Sequence, residues 1–116
     1  MQPAKYDFEM DKGINFERKM VWKDSDGNPI NLEGYSAHLH IKSERDNEVQ
    51  LKLSTDNGKI SLGDEGQIDI EIAPEDTEKI DEGGYMYDLV LDSNGGQRYR
   101  ILKGVIYVNQ VVTSFE

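Results

Sequence analysis

Two short polar patterns contain residue types that can bind a metal ion. Asp24, Asp26 and Asn28 alternate, so their oxygens could coordinate calcium, as the openings of calcium-binding loops do. Pro29 follows at once, however, and Tyr35 stands where such a loop needs its twelfth-position glutamate. A polar turn explains the same residues, because Asp, Asn and Pro each favour a bend of the backbone. We predict a turn here, without a metal.

His38 and His40 form the second pattern, at a spacing that places both on one side of a strand. Two imidazole nitrogens could hold a metal, but no third ligand lies near them in the sequence. The alternate positions of the same strand are apolar and predict its core-facing row: Tyr35, Ala37, Leu39 and Ile41. We therefore expect the histidines to be ordinary outward-facing polar residues, and we expect no metal or cofactor.

The carboxylates form no recognisable catalytic motif. A glycosidase-type carboxylate pair needs a cleft, and 116 residues with short loops leave little room for one. The sequence contains no G-x-S-x-G, no Gly-rich phosphate loop and no H-E-x-x-H. We therefore expect a protein that is not an enzyme.

Negative charge is concentrated in one segment. The chain has a net charge of −10, and residues 64–92 contain eleven acids against one base. Such a field repels phosphate, so we expect no direct binding to nucleic acid or to an anionic membrane. The segment is either a solvated surface or a contact surface for a basic partner. The candidate partner contacts are Asp64, Glu65, Asp69, Glu71, Glu75, Asp76 and Glu78.

Length and composition predict one domain over residues 1–116, with residues 1–12 as an N-terminal arm or an edge strand. The absence of cysteine excludes a disulfide framework and a thiolate site. There is neither an apolar membrane span nor an apolar signal core at the N-terminus, so we expect a soluble protein made in a cytoplasm.

Alternating apolar residues in short blocks, each closed by turn residues, predict about eight strands. Asn57-Gly58 predicts a type I′ hairpin, and residues 74–80 predict a helical turn. The pattern indicates an all-β, antiparallel β-sandwich, immunoglobulin-like or related. The predicted core includes Tyr35, Leu39, Ile41, Leu51, Ile68, Ile70, Ile72, Tyr87 and Leu89.

Three finer features remain open at this level. Tyr85 or Tyr87 is either the corner tyrosine of a sandwich or a packed ring with its hydroxyl in water. Arg98 and Arg100 either pair with acids across the sheet or form a small basic spot. Gly104 interrupts an apolar stretch that is either central in a sheet or contains a bulge.

Several motifs together resemble a family of small tailed-phage virion proteins. They are N-L-E-G-Y-S-A-H-L-H-I-K, V-Q-L-K-L-S-T-D-N-G-K-I-S-L-G, G-Q-I-D-I-E-I-A-P-E-D-T, G-G-Y-M-Y-D-L-V-L and L-K-G-V-I-Y-V, and they are spread over residues 31–108. The sequence is also similar to the N-terminal, virion-attached domain of upper-baseplate proteins in phages of Gram-positive hosts. It ends at Glu116 without a receptor-binding domain, so we expect no direct role in host binding.

The resemblance implies a multi-copy structural protein of the virion, whose partners are other virion proteins. We expect a tail or baseplate adaptor, and the alternative placement is a decoration protein on the capsid. An alternative of another class is a carbohydrate-binding module that stacks sugars on Trp22, Tyr6 or Tyr99, although core packing is the simpler role for these rings.

Overall fold

The fold consists of nine strands and one helical turn. The structure, a computed structural model, describes residues 3–113. The elements are β1 (Ala4–Lys5), β2 (Phe8–Asp11), β3 (Phe16–Val21), β4 (Ser36–Ser43), β5 (Val49–Ser54), β6 (Ile60–Leu62), β7 (Gln67–Ile72), α1 (Pro74–Thr77), β8 (Gly83–Asp92) and β9 (Arg98–Asn109).

The strands form two sheets that pack face to face. The larger sheet has the order β1-β9-β8-β4-β5, with β2 also paired to β9, and the smaller sheet has the order β3-β7-β6. This arrangement confirms the predicted β-sandwich. Pairing is antiparallel except at the N-terminus, where β1 and β2 run parallel to β9 along the edge of the larger sheet.

One core lies between the sheets. Ile68, Ile70 and Ile72 of β7 face Leu39, Ile41 and the other inward residues of the larger sheet, and all are almost completely buried. Tyr35 and Leu51 are only partly buried, because each lies near the margin of the sandwich. The sequence reading missed several core residues outside the clearest alternating runs: Phe8, Met10, Phe16, Leu32 and Ile80.

Four connections join the two sheets, and two of them contain turns that the sequence predicts. The chain from Trp22 to Ile41 leaves β3 of the smaller sheet and enters β4 of the larger one, so these strands do not pair with each other. Asn57-Gly58 likewise joins β5 to β6 across the sandwich, and the predicted type I′ hairpin is wrong. That turn needs positive φ at both central residues, and here Gly58 has it but Asn57 does not. The Asn57 side chain instead hydrogen-bonds the turn's backbone.

An irregularity near Ile101 shifts the register of β9, so the positions that face the core change there. Leu89 pairs with Leu102, but the next residue, Val90, pairs with Arg100. The bulge is therefore not at Gly104, which pairs regularly with Tyr87. Gly104 is required for a close approach, because a Cβ there would overlap the carbonyl oxygen of Tyr6. This glycine lets the N-terminal strands lie against β9.

Candidate functional site

The turn after β3 is built from Asp24 and its neighbours. The Oδ1 of Asp24 accepts hydrogen bonds from the backbone N–H groups of Asp26, at 3.0 Å, and Asn28, at 2.9 Å. The Asp24 side chain thus stabilises the bend, as the turn prediction requires. Within residues 3–113, no group of three or more His, Cys, Asp or Glu side chains is arranged to hold a metal ion.

His38 and His40 lie on the outer side of the larger sheet, half-buried among polar side chains. The Nε2 of His38 is 3.9 Å from Oδ2 of Asp92. Burial lowers the pKa of His40, and the nearby charges of Lys52 and Lys42 lower it further. His40 therefore belongs to a positively charged environment.

All seven candidate acids lie on the smaller sheet or its connections. Asp69 and Glu71 project from the outer side of β7 and line one depression of about 160 Å³, together with Glu17, Lys19 and Lys59. Asp64 and Glu65 lie in the β6–β7 turn at one end of the sheet, while Glu75, Asp76 and Glu78 lie in or beside α1 at the other. We call the seven candidate acids and Glu17, with Lys19, Lys59 and Lys79, the acidic face; it has a net of five negative charges.

Asp76 has a structural role within this face. Its Oδ2 is 2.7 Å from Nζ of Lys59, in an ion pair whose side chains are mostly buried. The hydrogen bond from Lys59 lowers the pKa of the Asp76 carboxyl. The ion pair of Asp76 therefore holds α1 against the start of β6. The neighbouring acids are more available to a binding partner.

Glu17 and Glu71 are directly opposite each other on β3 and β7. Both are exposed, and neither forms an ion pair within the described residues 3–113. Like charges at opposite positions of an antiparallel pair destabilise a sheet. The acidic face thus contains a repulsion that a cation from outside could relieve.

The outer side of the larger sheet has the opposite charge. Register places six basic side chains there against four acidic ones, an excess of two positive charges with both histidines neutral. We call this surface the basic face. It comprises Lys5, Lys42, Lys52, Arg98, Arg100 and Lys103 with Glu9, Asp11, Asp88, Asp92, His38 and His40.

The centre of the basic face is a row that crosses five strands: Lys5, Lys103, Asp88, His40 and Lys52. The row borders a depression of about 510 Å³. Lys5 and Lys103 are directly opposite each other in the parallel pair of β1 and β9. They form a second exposed pair of like charges, now positive, and neither has an ion-pair partner within the described part of the chain.

The sequence reading found the acids but missed the basic face. The lysines of the basic face are separated by long stretches of sequence and become neighbours only through strand pairing. The seven candidate acids all lie between residues 64 and 78. Asp88 and Asp92 belong to the acidic segment but lie on the basic face, where they pair with Arg100 at 3.1 Å and Arg98 at 2.9 Å. Of the two alternatives left open by the sequence, these contacts show that the two arginines pair with acids across the sheet.

The corner tyrosine is Tyr85. Its hydroxyl donates a 2.6 Å hydrogen bond to the carbonyl oxygen of Asp81, four residues upstream, as in a tyrosine corner. The Tyr87 hydroxyl donates to the carbonyl oxygen of Tyr6, also at 2.6 Å, and so holds the N-terminal strands against the core. Neither hydroxyl is simply left in water, and burial raises the pKa of both phenols.

The aromatic residues considered for sugar stacking are separated into two groups. Trp22 and Tyr99 pack against each other and against the core, with ring centroids 5.6 Å apart and planes inclined by 55°. Tyr6 is 56% exposed and packs on Phe8, so the expected core role does not hold for it. Trp22 and Tyr99 therefore form no flat platform of parallel rings.

The fold is a β-sandwich with two charged outer faces, and sequence comparison identifies its family. Residues 2–109 match the family described as "LtfC-like, beta-sandwich domain". The chain belongs to this family. LtfC is a phage tail-associated protein, so the protein is a phage-related β-sandwich domain.

Other comparisons are more distant, and no curated protein matches the sequence. The fold is similar to a chain from the crystal structure of ICOS in complex with ICOS-L and an anti ICOS-L VNAR domain, at 11% identity and a TM-score of 0.46. That match covers 92% of this chain and 56% of the other. A second similarity, to Drosophila OTK extracellular domains 3-5, has 12% identity and a TM-score of 0.38, and covers 91% of this chain and 33% of that one. Neither likeness bears on function.

Among residues 3–113, no helix has the length and apolar content that crossing a membrane requires.

Proposed function

We propose that this protein is a non-enzymatic structural component of a phage virion that acts by binding neighbouring subunits. The observation that carries the proposal is membership of a β-sandwich family whose namesake is tail-associated. We place the protein in the tail, as an adaptor between subunits and present in several copies. Capsid decoration is the alternative placement, which the same family resemblance to virion proteins allows.

The acidic face is the proposed contact with a basic partner subunit. Asp69, Glu71 and Glu75 are its most suitable residues, because they project from β7 and α1 without an ion pair to another described residue. Charges at the rim of an interface mainly increase the rate of encounter and make binding sensitive to salt. The acidic face should therefore affect incorporation into the particle more strongly than it affects folding.

The test is complementation of a phage that lacks this gene. Wild-type protein should be incorporated into virions, and the variant Asp69→Asn/Glu71→Gln/Glu75→Gln should be incorporated several-fold less when peptides are counted by mass spectrometry. A matched control, Asp24→Asn/Asp46→Asn/Asp56→Asn, removes three exposed charges from turns outside the acidic face. Equal incorporation of both variants would contradict the acidic contact, and absence of wild-type protein from virions would contradict the proposed function itself.

A further inference from the structure

The two outer faces of the sandwich have features that match each other. One presents the exposed pair Lys5 and Lys103, and the other presents the exposed pair Glu17 and Glu71. Within each pair the two residues are register partners on adjacent strands, so their Cα atoms are about 5 Å apart in both cases. Lys103 is also opposite Asp88, and Lys59 lies in the same depression as Glu71. Asp88 and Lys59 are each engaged in another ion pair, so neither pair of like charges is fully compensated, and each would be relieved by the other.

We propose that the basic face of one copy binds the acidic face of a second copy, with the Lys5–Lys103 pair set against the Glu17–Glu71 pair. This inference rests on the proposed assembly role and names a partner for it. The faces lie on opposite sides of the sandwich, so the contact is head-to-tail. A head-to-tail contact leaves one face of each kind unoccupied at the ends, and it therefore propagates into a ring or a stack.

A second copy fits the basic face better than a nucleic acid does. Arg98 and Arg100 are already engaged by Asp92 and Asp88, so neither presents a free guanidinium fork to a phosphate. The chain's net charge of −10 repels a polyanion and a second copy alike at longer range, so the contact between copies depends on the local charges of the two faces. The acidic face requires a cationic occupant as well, and one kind of contact between copies satisfies both requirements.

The basic face also provides apolar contact area beside its charges. Met86 and Val105 are neighbours on β8 and β9 and are partly exposed on the outer side of the larger sheet. Tyr107 lies two residues beyond Val105 and is 49% exposed. Aromatic residues and methionine are enriched in protein interfaces.

The expected affinity is low. Five strands about 4.8 Å apart and about seven residues long give the larger sheet an outer surface of roughly 500 Å². This is below the roughly 800 Å² per partner of a standard stable interface. Self-association should therefore be weak for two copies, dependent on concentration and salt, and strengthened when several contacts form together in a particle.

The experiment is a charge exchange measured by sedimentation velocity at low ionic strength. The variants Lys5→Glu/Lys103→Glu and Glu17→Lys/Glu71→Lys should each lose self-association by at least about tenfold, because like charges then meet at the contact. Each variant replaces one exposed like-charge pair by another and should stay folded. A modest loss of thermal stability is expected, because Lys103→Glu is opposite Asp88 and Glu71→Lys lies beside Lys59. A mixture of the two variants should associate again, because opposite charges are restored across the contact.

A control variant, Lys23→Glu/Arg45→Glu, makes the same change in net charge as the lysine variant but in two exposed turns. It should associate as the wild type does. Wild-type protein that stays monomeric at every concentration, or variants that do not associate when mixed, would overturn the inference. Binding of a short double-stranded DNA that depends on Lys5 and Lys103, with no self-association, would also overturn it.

The two proposals fail separately. Monomeric protein that is nevertheless incorporated into virions would refute the contact between copies and leave the proposed function intact. Head-to-tail association of a protein that is absent from virions would refute the proposed function and leave the contact.

Discussion

The two sheets of this sandwich have similar inner sides and opposite outer sides. Inward, both present aliphatic and aromatic residues to one core. Outward, the larger sheet has an excess of two positive charges, and the smaller sheet with its two ends has an excess of five negative charges. The requirements of folding constrain the inner rows most strongly, because most outward positions of a strand tolerate a range of side chains. The outer rows are therefore where a specific partner can be encoded.

The largest effect should come from placing a charge on the inner side of the smaller sheet. Ile70 is 2% exposed, and Ile70→Asp would bury an unpaired carboxylate, at a cost of several kcal/mol. Its neighbour Asp69 points outward, and Asp69→Asn should change stability by less than about 0.5 kcal/mol. Urea unfolding of both variants measures the difference. Similar midpoints would show that the assignment of inner and outer rows is wrong.

The next effect concerns the tyrosine corner, which belongs to the larger sheet. Tyr85→Phe removes the hydroxyl that binds the carbonyl oxygen of Asp81, and it should cost about 1 kcal/mol. Tyr99→Phe is the matched control, since the Tyr99 hydroxyl bonds only to the exposed side chain of Gln97. Thermal unfolding should separate the two variants clearly, and equal melting temperatures would deny the corner a role in stability.

A smaller effect on stability is expected at Asp76, which is the acid of the acidic face that forms an ion pair within the protein. Asp76→Asn breaks the ion pair with Lys59 and should cost about 0.5 to 1 kcal/mol at neutral pH. Because folding lowers the pKa of Asp76, its contribution is present above the ordinary carboxyl pKa and is lost as pH falls through the lowered value. The stability gap between wild type and variant should therefore narrow in acid. A gap that stays constant down to pH of about 3 would contradict the lowered pKa.

The smallest effect is expected at His40 on the basic face. Folding lowers its pKa, through burial and then through Lys52 and Lys42, while Asp88 acts weakly in the other direction. The unfolded chain thus binds the proton more readily, and the wild type should lose stability as pH falls from about 6.5 through the lowered value. His40→Gln should lack this component. Denaturant titrations of both proteins across that range measure it, and parallel pH profiles would contradict it.

The sequence predicted the sandwich because alternation reports inward rows directly. Ile68, Ile70 and Ile72 were assigned to the core correctly for that reason. The turn at Asp24 was predicted from its turn-forming residues. Pairing of Arg98 and Arg100 with acids was one of two alternatives, and the structure shows it. The pairing of the strands could not be predicted from the sequence, because an alternating pattern does not indicate which strand lies beside which. The Asn57-Gly58 turn was misassigned for this reason, since a hairpin signal is local and the change of sheet is not.

The charged faces show the same limit. The acidic face was partly visible because its acids are close in sequence, although Glu17 lies on a distant strand and was missed. Lys5 and Lys103 are ninety-eight positions apart and become neighbours only through the parallel pairing of β1 with β9, which is itself uncommon for a chain of consecutive antiparallel strands. A surface whose residues become neighbours through strand pairing can be recognised only once the register of the strands is known.

Mass spectrometry of heads and tails separated from one purified virion preparation tests the central claim most directly. We expect peptides of this protein in the tail fraction, at a copy number well above one per particle. Enrichment in heads would favour decoration of the capsid over the tail adaptor. Absence from both fractions would contradict the claim that this β-sandwich is a structural component of the virion.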